Sequence, residues 1–392
     1  MSFERPYEGL TVVDMSQGVA GPYCAMLLAQ NGAEVVKVEP FEGDWARHLG
    51  QTYGDHTAFS VAANMGKRSI ALDLKKDGAR AIVDRLLENA DVFLEGFRPG
   101  VIDRLGFGYD RVRAFNPGLV YVSVSGFGQT GPMRERPAMD PVLQAFTGFM
   151  AENKGPDGIP HRTPVIVNDM STALYAMHAV QSTLFARANG GPGRRIEISL
   201  MEASANVQVV RLMDNYREGP FKIAATPSGT FPTEDGWLQV VCAKDRDWQR
   251  LCEALDWHDL ADNPRYATMA GRFAAADVLV PRLRDTLASG PTAKWKPRLE
   301  AHGIQHEIVQ AYPAFIDHPQ PKAVGLFSWL EQPGSDEPWP VPNIPAMPKY
   351  EAGSVLAESP TIGQHTREVL AGIGYAADEI EVFLESGVAR AS

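Results

Sequence analysis

Leu10-Thr11-Val12-Val13-Asp14-Met15-Ser16-Gln17-Gly18-Val19-Ala20-Gly21-Pro22 opens a segment that runs on through Gly32 to Glu34-Val35-Val36-Lys37-Val38-Glu39. Leu10 to Asp14 is a short apolar run and reads as a buried strand. Ala20 to Asn31 reads as a helix, with Gly21-Pro22 at its start and Gly32 as its stop. Glu34 to Glu39 reads as a second strand. Strands alternating with helices are the pattern of a mostly parallel sheet covered on both faces.

The pattern continues downstream. Ser69 to Leu74 is a third strand, followed by a helix from Lys76 to Asn89; Asp91 to Glu95 and Leu119 to Val124 are the fourth and fifth strands. Ligands of such sheets bind where the carboxyl ends of the strands release their loops. Those loops are Ser16 to Pro22, Pro40 to Arg47, Gly96 to Gly100 and Ser125 to Pro132. The composition shifts after Tyr216, where Glu218-Gly219-Pro220 and Thr226-Pro227-Ser228-Gly229 punctuate the chain. The expected division is a large domain over 1–217, a linker over 218–229 and a small domain over 230–318. Residues 319–392 then form a return linker with C-terminal helices at Thr366 to Ile373 and Ala377 to Glu385. In the small domain Trp237 to Val241 reads as a strand, and Asp247 to Leu255 and Arg272 to Leu287 as helices. Five prolines between Pro338 and Pro348 exclude a regular helix or a central strand, so that stretch reads as an extended arm.

Composition narrows the function. The net charge of −11 leaves no broad basic field, so no nucleic-acid partner is expected. Cys24, Cys242 and Cys252 are odd in number and far apart, which suits a reducing cytoplasm better than a disulfide framework. Met1 to Tyr7 lacks the apolar core of a signal peptide, and no run is apolar enough for a membrane span. The loop Ser16 to Pro22 lacks the G-x-G-x-x-G of dinucleotide binding, and no Walker lysine loop or G-x-S-x-G elbow occurs. His302 and His306 have the spacing of a ligand pair but flank Gly303 without the glutamate of a zinc protease, so no metal is expected. Lys75, Lys76, Arg98 and Arg104 follow two of the strands and suit either phosphate groups or a solvated surface.

The remaining feature is Asp169. A short apolar run, Val165-Ile166-Val167, ends at Asn168-Asp169, and apolar residues then recur at Leu174, Met177, Val180 and Leu184. Asp169 therefore stands at the start of a helix, where unpaired N–H groups and the dipole favour an ionised carboxylate. Such a residue is a helix cap or, once oriented, a nucleophile.

Taken together, these segments resemble the class III CoA-transferase family nearly end to end. The likeness lies in Asp14-Met15-Ser16 through Ala20-Gly21-Pro22, Gly32 through Pro40 with Gly43-Asp44, and Asn64 through Lys75. It continues in Phe97-Arg98-Pro99-Gly100, Arg104-Leu105-Gly106, Ser125-Gly126-Phe127-Gly128 and Pro360 through Thr366. The resemblance implies an α/β fold with a Rossmann-like large domain and a smaller α+β domain, in an interlocked, ring-like homodimer. It implies CoA transfer from an acyl-CoA, with succinyl-CoA as the expected donor, to a small carboxylic acid. CoA enters as substrate, and no cofactor is held permanently. Asp169 falls on the family's nucleophile, and a pKa depressed by its helix start would suit that role. Asp140 falls on a second acidic position, with a helix-start cap as the equal alternative. Val19, Ala20, Leu72, Lys75, Gly96, Phe97, Arg98 and Arg104 fall on CoA contacts, and backbone N–H groups in Ser16 to Gly21 are candidate oxyanion donors. Two positions depart from the pattern: Pro137 replaces a lysine and Gly96 an asparagine, and Thr230 to Asp245 lacks a glycine-rich lid. Arg47, and also His161 or Arg162, are candidate clamps for a second carboxylate. The related alpha-methylacyl-CoA racemases pair an aspartate with a histidine, but Met139 stands at the histidine position. A non-catalytic acyl-CoA-binding homologue is the remaining alternative.

Overall fold

A computed structural model describes residues 5–155, 157–219 and 225–392. Two compact units result, Met1–Arg217 with Gly325–Ser392 and Glu218–Val324.

The first unit is built on a seven-stranded sheet. Strands β1 (Thr11–Asp14), β2 (Glu34–Glu39), β3 (Arg68–Leu72), β4 (Val92–Glu95), β5 (Val120–Ser125) and β6 (Arg195–Ser199) run parallel in the order 3-2-1-4-5-6. A short C-terminal strand, Ala389–Arg390, pairs antiparallel with β3 at the edge. The order reverses between β1 and β4, which is where a ligand crevice opens in such sheets. Helix α1 (Ala20–Gln30) follows β1, α2 (Ala58–Asn64) follows β2 and α3 (Asp77–Glu88) follows β3. Two short helices, α4 (Val101–Leu105) and α5 (Tyr109–Phe115), join β4 to β5. Between β5 and β6 come α6 (Asp140–Phe146), α7 (Phe149–Glu152) and α8 (Val167–Ala188), and α9 (Leu200–Val207) and α10 (Val209–Glu218) follow β6.

Side chains alternate across the strands and feed two cores. Val12, Leu94 and Val122 pack with Cys24 and Leu28 of α1 and with Ala176, Met177 and Val180 of α8. Val13, Phe93 and Tyr121 pack on the other face with Ile82, Val83 and Leu86 of α3 and with Val369 and Leu370. Leu174, expected on the buried face of α8, is exposed, and Ala173 is buried in its place. The close approach of α1 selects the smaller residue.

Charges are buried at the carboxyl ends of β1 and β2. Lys67 Nζ donates to Asp14 Oδ2 at 2.7 Å, to the Pro22 carbonyl at 2.8 Å and to Asn64 Oδ1 at 2.9 Å. Lys37 Nζ donates to Asp44 Oδ2 at 2.9 Å and to the Ser16 carbonyl, and lies 3.8 Å from Asp14. Arg47 was read as a clamp at the site mouth; the structure instead buries it. Its guanidinium holds Glu39 through Nε and Nη2 (2.9 and 2.8 Å) and reaches the carbonyls of Asp55 and Pro360. The residue is buried away from the cavity and ties the end of β2 to the returning C-terminal segment.

That segment contains β10 (Phe327–Leu330) and β11 (Trp339–Pro342), an antiparallel pair, once β7 (Ser228–Pro232), β8 (Trp237–Val241) and β9 (Gln305–Ile308) of the second unit are counted. The proline-rich stretch is thus partly a strand, with Pro340 and Pro342 in a two-stranded ribbon where ladder donors are dispensable. The segment then docks beneath α1 and α2: Gln30 Nε2 donates to the Leu356 carbonyl at 2.8 Å and Gly66 N–H to the Glu358 carbonyl at 2.9 Å.

In the second unit β7, β8 and β9 form an antiparallel sheet over a helical layer, with Trp248, Leu251, Leu283 and Leu299 in its core. Two expectations shift here. The strand β7 begins at Ser228, inside the stretch read as linker, and the unit extends to Val324 because helices Tyr312–Asp317 and Pro319–Val324 belong to it. Residues 220–224 of the expected linker lie outside the described residues. The expected Arg272 to Leu287 helix is interrupted at Ala275, with separate helices Met269–Ala274 and Ala276–Ala288. All three cysteines are buried and unpaired, and no helix of the described residues is long and apolar enough to cross a membrane.

Removing one partner from the buried charges strands the other. Lys67→Met is expected to cost about 3–5 kcal/mol, measured as a lower urea midpoint at pH 7; a midpoint equal to native would show that the ammonium does not hold the loop.

Candidate active site

A cavity of about 750 Å³ opens at the switch point, within the first unit. The loop after β1 supplies Val19, Ala20 and Gly21, and the loop after β4 supplies Gly96, Phe97 and Arg98. The end of β5 adds Ser125 and Gly126, and the starts of α6 and α8 add Asp140 and Asp169.

Asp169 is the third residue of α8, in its first turn rather than at its cap. The N-cap residue, Ile166, offers no side-chain acceptor. Asp140 supplies one: its Oδ2 accepts from Asn168 N–H at 2.7 Å and from Asp169 N–H at 3.3 Å. Asp140 is itself held by Gln144, whose Nε2 donates to Oδ1 at 2.6 Å and to the Thr163 carbonyl. Asp140 thus caps the helix that carries Asp169, and its own place at the start of α6 aims it there. Helix α1 also begins without a side-chain cap and without an acidic residue in its first turn. Its Ala20 lines the same cavity as Asp169, and the Ala20 N–H lies close enough to that carboxyl to favour the ionised form. Two helix starts therefore converge on the cavity, and Asp140 closes that of α8.

The expected lowering of the Asp169 pKa is reversed. Burial pushes its carboxyl up, the Asp140 charge adds to the rise, and the Ala20 N–H only partly opposes them, leaving it at about 7. Desolvation and a like charge outweigh one backbone donor. The group is half ionised at neutral pH, in a recess where an anion is poorly solvated.

Residues 7–366 match the model of CoA-transferase family III. The chain belongs to that family. It is 34% identical over 308 residues to an acetyl-CoA:oxalate CoA-transferase of Acetobacter aceti, covering 76% of this chain and 79% of the relative. It is 32% identical to a succinate–glutarate CoA-transferase of Agrobacterium fabrum, covering 93% and 95%. The crystal structure of a CAIB/BAIF family protein from Brucella suis superposes with a TM-score of 0.82 at 29% identity, over 94% of this chain and 100% of that one. The protein is a CoA-transferase, and acyl-CoA is its substrate class.

For this family III transferase the structure gathers some of the expected CoA contacts and separates others. Val19, Ala20, Gly96, Phe97 and Arg98 line the cavity, as do Pro137 and Arg162. Leu72 is wholly buried in the core beneath β3, so its side chain is closed to a ligand. Lys75 and Arg104 are exposed and outside the cavity wall. His161 also lies off the wall, near Asp157. Among the expected oxyanion donors, Ser16 N–H is bound to Asp14 Oδ1 and Gly18 N–H to Asp44, so neither is free. The sequence reading missed Trp45, Leu49 and Phe59, an apolar wall, and Arg134 and Arg136 beside Arg162. One signal was present: Gly18 has φ +83° and a side chain there would strike the Trp45 indole.

A carboxyl held higher in the folded chain than in the unfolded one supports folding at low pH and loses that support as the pH rises through about 7. Asp169→Asn is therefore expected to melt above native at pH 8, by on the order of a few degrees, with the gap closing toward pH 4 in a calorimetric series. A native protein that melts higher at pH 8 contradicts the assignment.

Proposed function

We propose that this transferase moves CoA from an acyl-CoA donor, with succinyl-CoA the leading case, to a small carboxylic acid through a CoA thioester on Asp169. The observation that carries the reading is the Asp169 carboxyl, recessed in the cavity and met by the Ala20 N–H at an otherwise uncapped helix start. An Asp169 oxygen attacks the thioester carbonyl, the C–S bond breaks, and a mixed anhydride and CoA thiolate form. The thiolate attacks the aspartyl carbonyl and the donor acid leaves as its carboxylate, giving aspartyl-CoA. The acceptor carboxylate then attacks aspartyl-CoA, and the same two steps in reverse deliver the new acyl-CoA and restore Asp169. Each exchange is split into steps of smaller difficulty. In the steps at the aspartyl carbonyl, the Ala20 N–H points at the oxygen that gains charge, which is the place for an oxyanion donor.

Arg98 on the β4 loop suits a CoA phosphate, and exposed Lys75 and Arg104 suit the outer phosphates. Arg134, Arg136 and Arg162 line the same cavity as Asp169; a second carboxylate on the acceptor would find partners there, and relatives are named for oxalate and glutarate. Dicarboxylates are the acceptor class this wall favours. Met139 lines the cavity beside Asp140 and has no proton to transfer, which argues against racemisation. The homodimer of the family is supported by α10, whose Val210, Met213 and Tyr216 share one exposed apolar face; a second copy of the chain would cover it.

With succinyl-CoA and a panel of acids, mass spectrometry should reveal new CoA thioesters, strongest for dicarboxylates, and Asp169→Ala should fall below about one-thousandth of native. Thioesters that persist in Asp169→Ala would falsify the mechanism. Because the anion attacks, kcat/KM should drop tenfold per pH unit on the acid side of about pH 7. Asp140→Asn removes the neighbouring charge and should move that limb to lower pH; an upward move contradicts the geometry. By light scattering the native protein should be a dimer, and Met213→Asp should weaken it; a monomeric native protein removes the dimer from the reading.

A further inference from the structure

The loop from Asp14 to Pro22 brings Ala20 to the cavity that Asp169 also lines, and within the loop the Asp14 carboxylate accepts from Ser16 N–H. Further tethers come from below. Asp44 Oδ1 accepts from Gly18 N–H at 2.9 Å and from Ala46 N–H at 3.0 Å, and Asp44 Oδ2 accepts from Gly18 N–H at 3.1 Å. The same oxygen receives Lys37 Nζ at 2.9 Å, and that ammonium also donates to the Ser16 carbonyl. Two successive turns of the loop are thus bound to one ion pair. Lys37 and Asp44 are fully buried, and neither lines the cavity. Gly18 has φ +83°, and the Trp45 indole packs against its backbone from the side. The residue in the left-handed region is therefore fixed by hydrogen bonds and by contact, and Ala20 follows two residues later as the first residue of α1.

The pair costs desolvation, so its presence is by itself weak evidence of a purely stabilising role. Its placement gives it another use. A group that donates from a loop to a reacting carboxylate must be held within a few tenths of an ångström, and surface loops are not. We propose that Lys37 and Asp44 are positioning residues for the covalent step, fixing Ser16 to Gly18 so that the Ala20 N–H meets the Asp169 carboxyl. The inference rests on Asp169 being the nucleophile.

The readout is the acid limb of kcat/KM. The Ala20 N–H favours ionised Asp169, against burial and Asp140; arginines 98, 134, 136 and 162 on the cavity wall are unchanged by the test. Around the pair itself, Asp14, Glu39, Lys67 and Arg47 complete the charges. Two neutral double variants avoid stranding a charge. Lys37→Met/Asp44→Leu removes both tethers. Lys37→Met/Asp44→Asn removes the Ser16 tether but keeps an acceptor oxygen for Gly18 N–H. Both are assayed by CoA-thioester exchange across pH 5 to 9, beside native and with thermal melting. The acid limb of the Leu variant should rise by about half to one pH unit, the scale of a weakened hydrogen bond to a charge, and the Asn variant should lie between it and native. If the Leu variant does not fold, the Asn variant decides, since its limb must still lie above native. Limbs at the native position, whether or not activity falls uniformly, overturn the proposal and leave the pair structural. Exchange absent from native protein, or present in Asp169→Ala, instead overturns the nucleophile assignment.

Discussion

Two lysines with no solvent exposure, set among carboxylates at the carboxyl ends of β1 and β2, are the constraint on which the large unit depends. Neither is tolerable alone in that setting. Burial pushes Asp14 up, but Lys37 and Lys67 overcome it and hold its carboxyl below the usual range. Burial likewise opposes the Lys37 charge and is outweighed by Asp14, Asp44 and Glu39. Every member needs the others in place, so the strand ends, the loop between Asp14 and Pro22 and the 3-10 turn at Trp45–His48 adopt one mutual arrangement or lose several bonds together. Arg47 and Glu39 extend the same logic to the returning C-terminal segment through the Pro360 carbonyl.

From that base the cavity follows by packing. Helix α1 lies against α8 along Cys24, Leu28, Ala176 and Val180, and their starts converge on the switch point. Each start lacks a side-chain cap of its own. Asp140 closes that of α8, so the unsatisfied N–H groups at a helix start also fix the backbone that carries Asp169. The two requirements on Asp169 oppose each other. Recess from water would protect the acyl intermediate proposed above but raises the cost of the anion, and the Ala20 N–H of α1 recovers only part of it.

Much of this was legible in the residues. The apolar runs of β1 to β5 mark central parallel strands, because both faces are covered and alternation is unnecessary. β6 escaped notice: Arg195 and Glu197 alternate with Ile196 and Ile198, the mark of an edge strand with one wet face. Asp169 was visible as a helix start, whereas its raised pKa depends on burial and then on Asp140, a neighbour in space, neither of which a local pattern reveals. Arg47 was misread for a related reason. In sequence a buried ion-paired arginine looks the same as an exposed one, and only the position of Glu39 and the chain turn at Pro360 decide between them. Trp45 was hidden because its partner is a glycine backbone, which leaves no side-chain signature beyond the glycine itself.

The large unit is also discontinuous, and this bears on the order in which the chain can mature during synthesis. Strands β1 to β6 all precede the second unit, yet the free edge of β3 is covered by Ala389–Arg390, and Arg47 finds its last acceptor at Pro360. A growing chain therefore emerges with an open parallel edge and an arginine short of one partner, while residues 218–324 can complete their own core first. An exposed edge strand invites pairing with another chain. The closing steps of the sheet wait on residues translated after the second unit, so the interval before they appear is when this protein most needs protection from its neighbours.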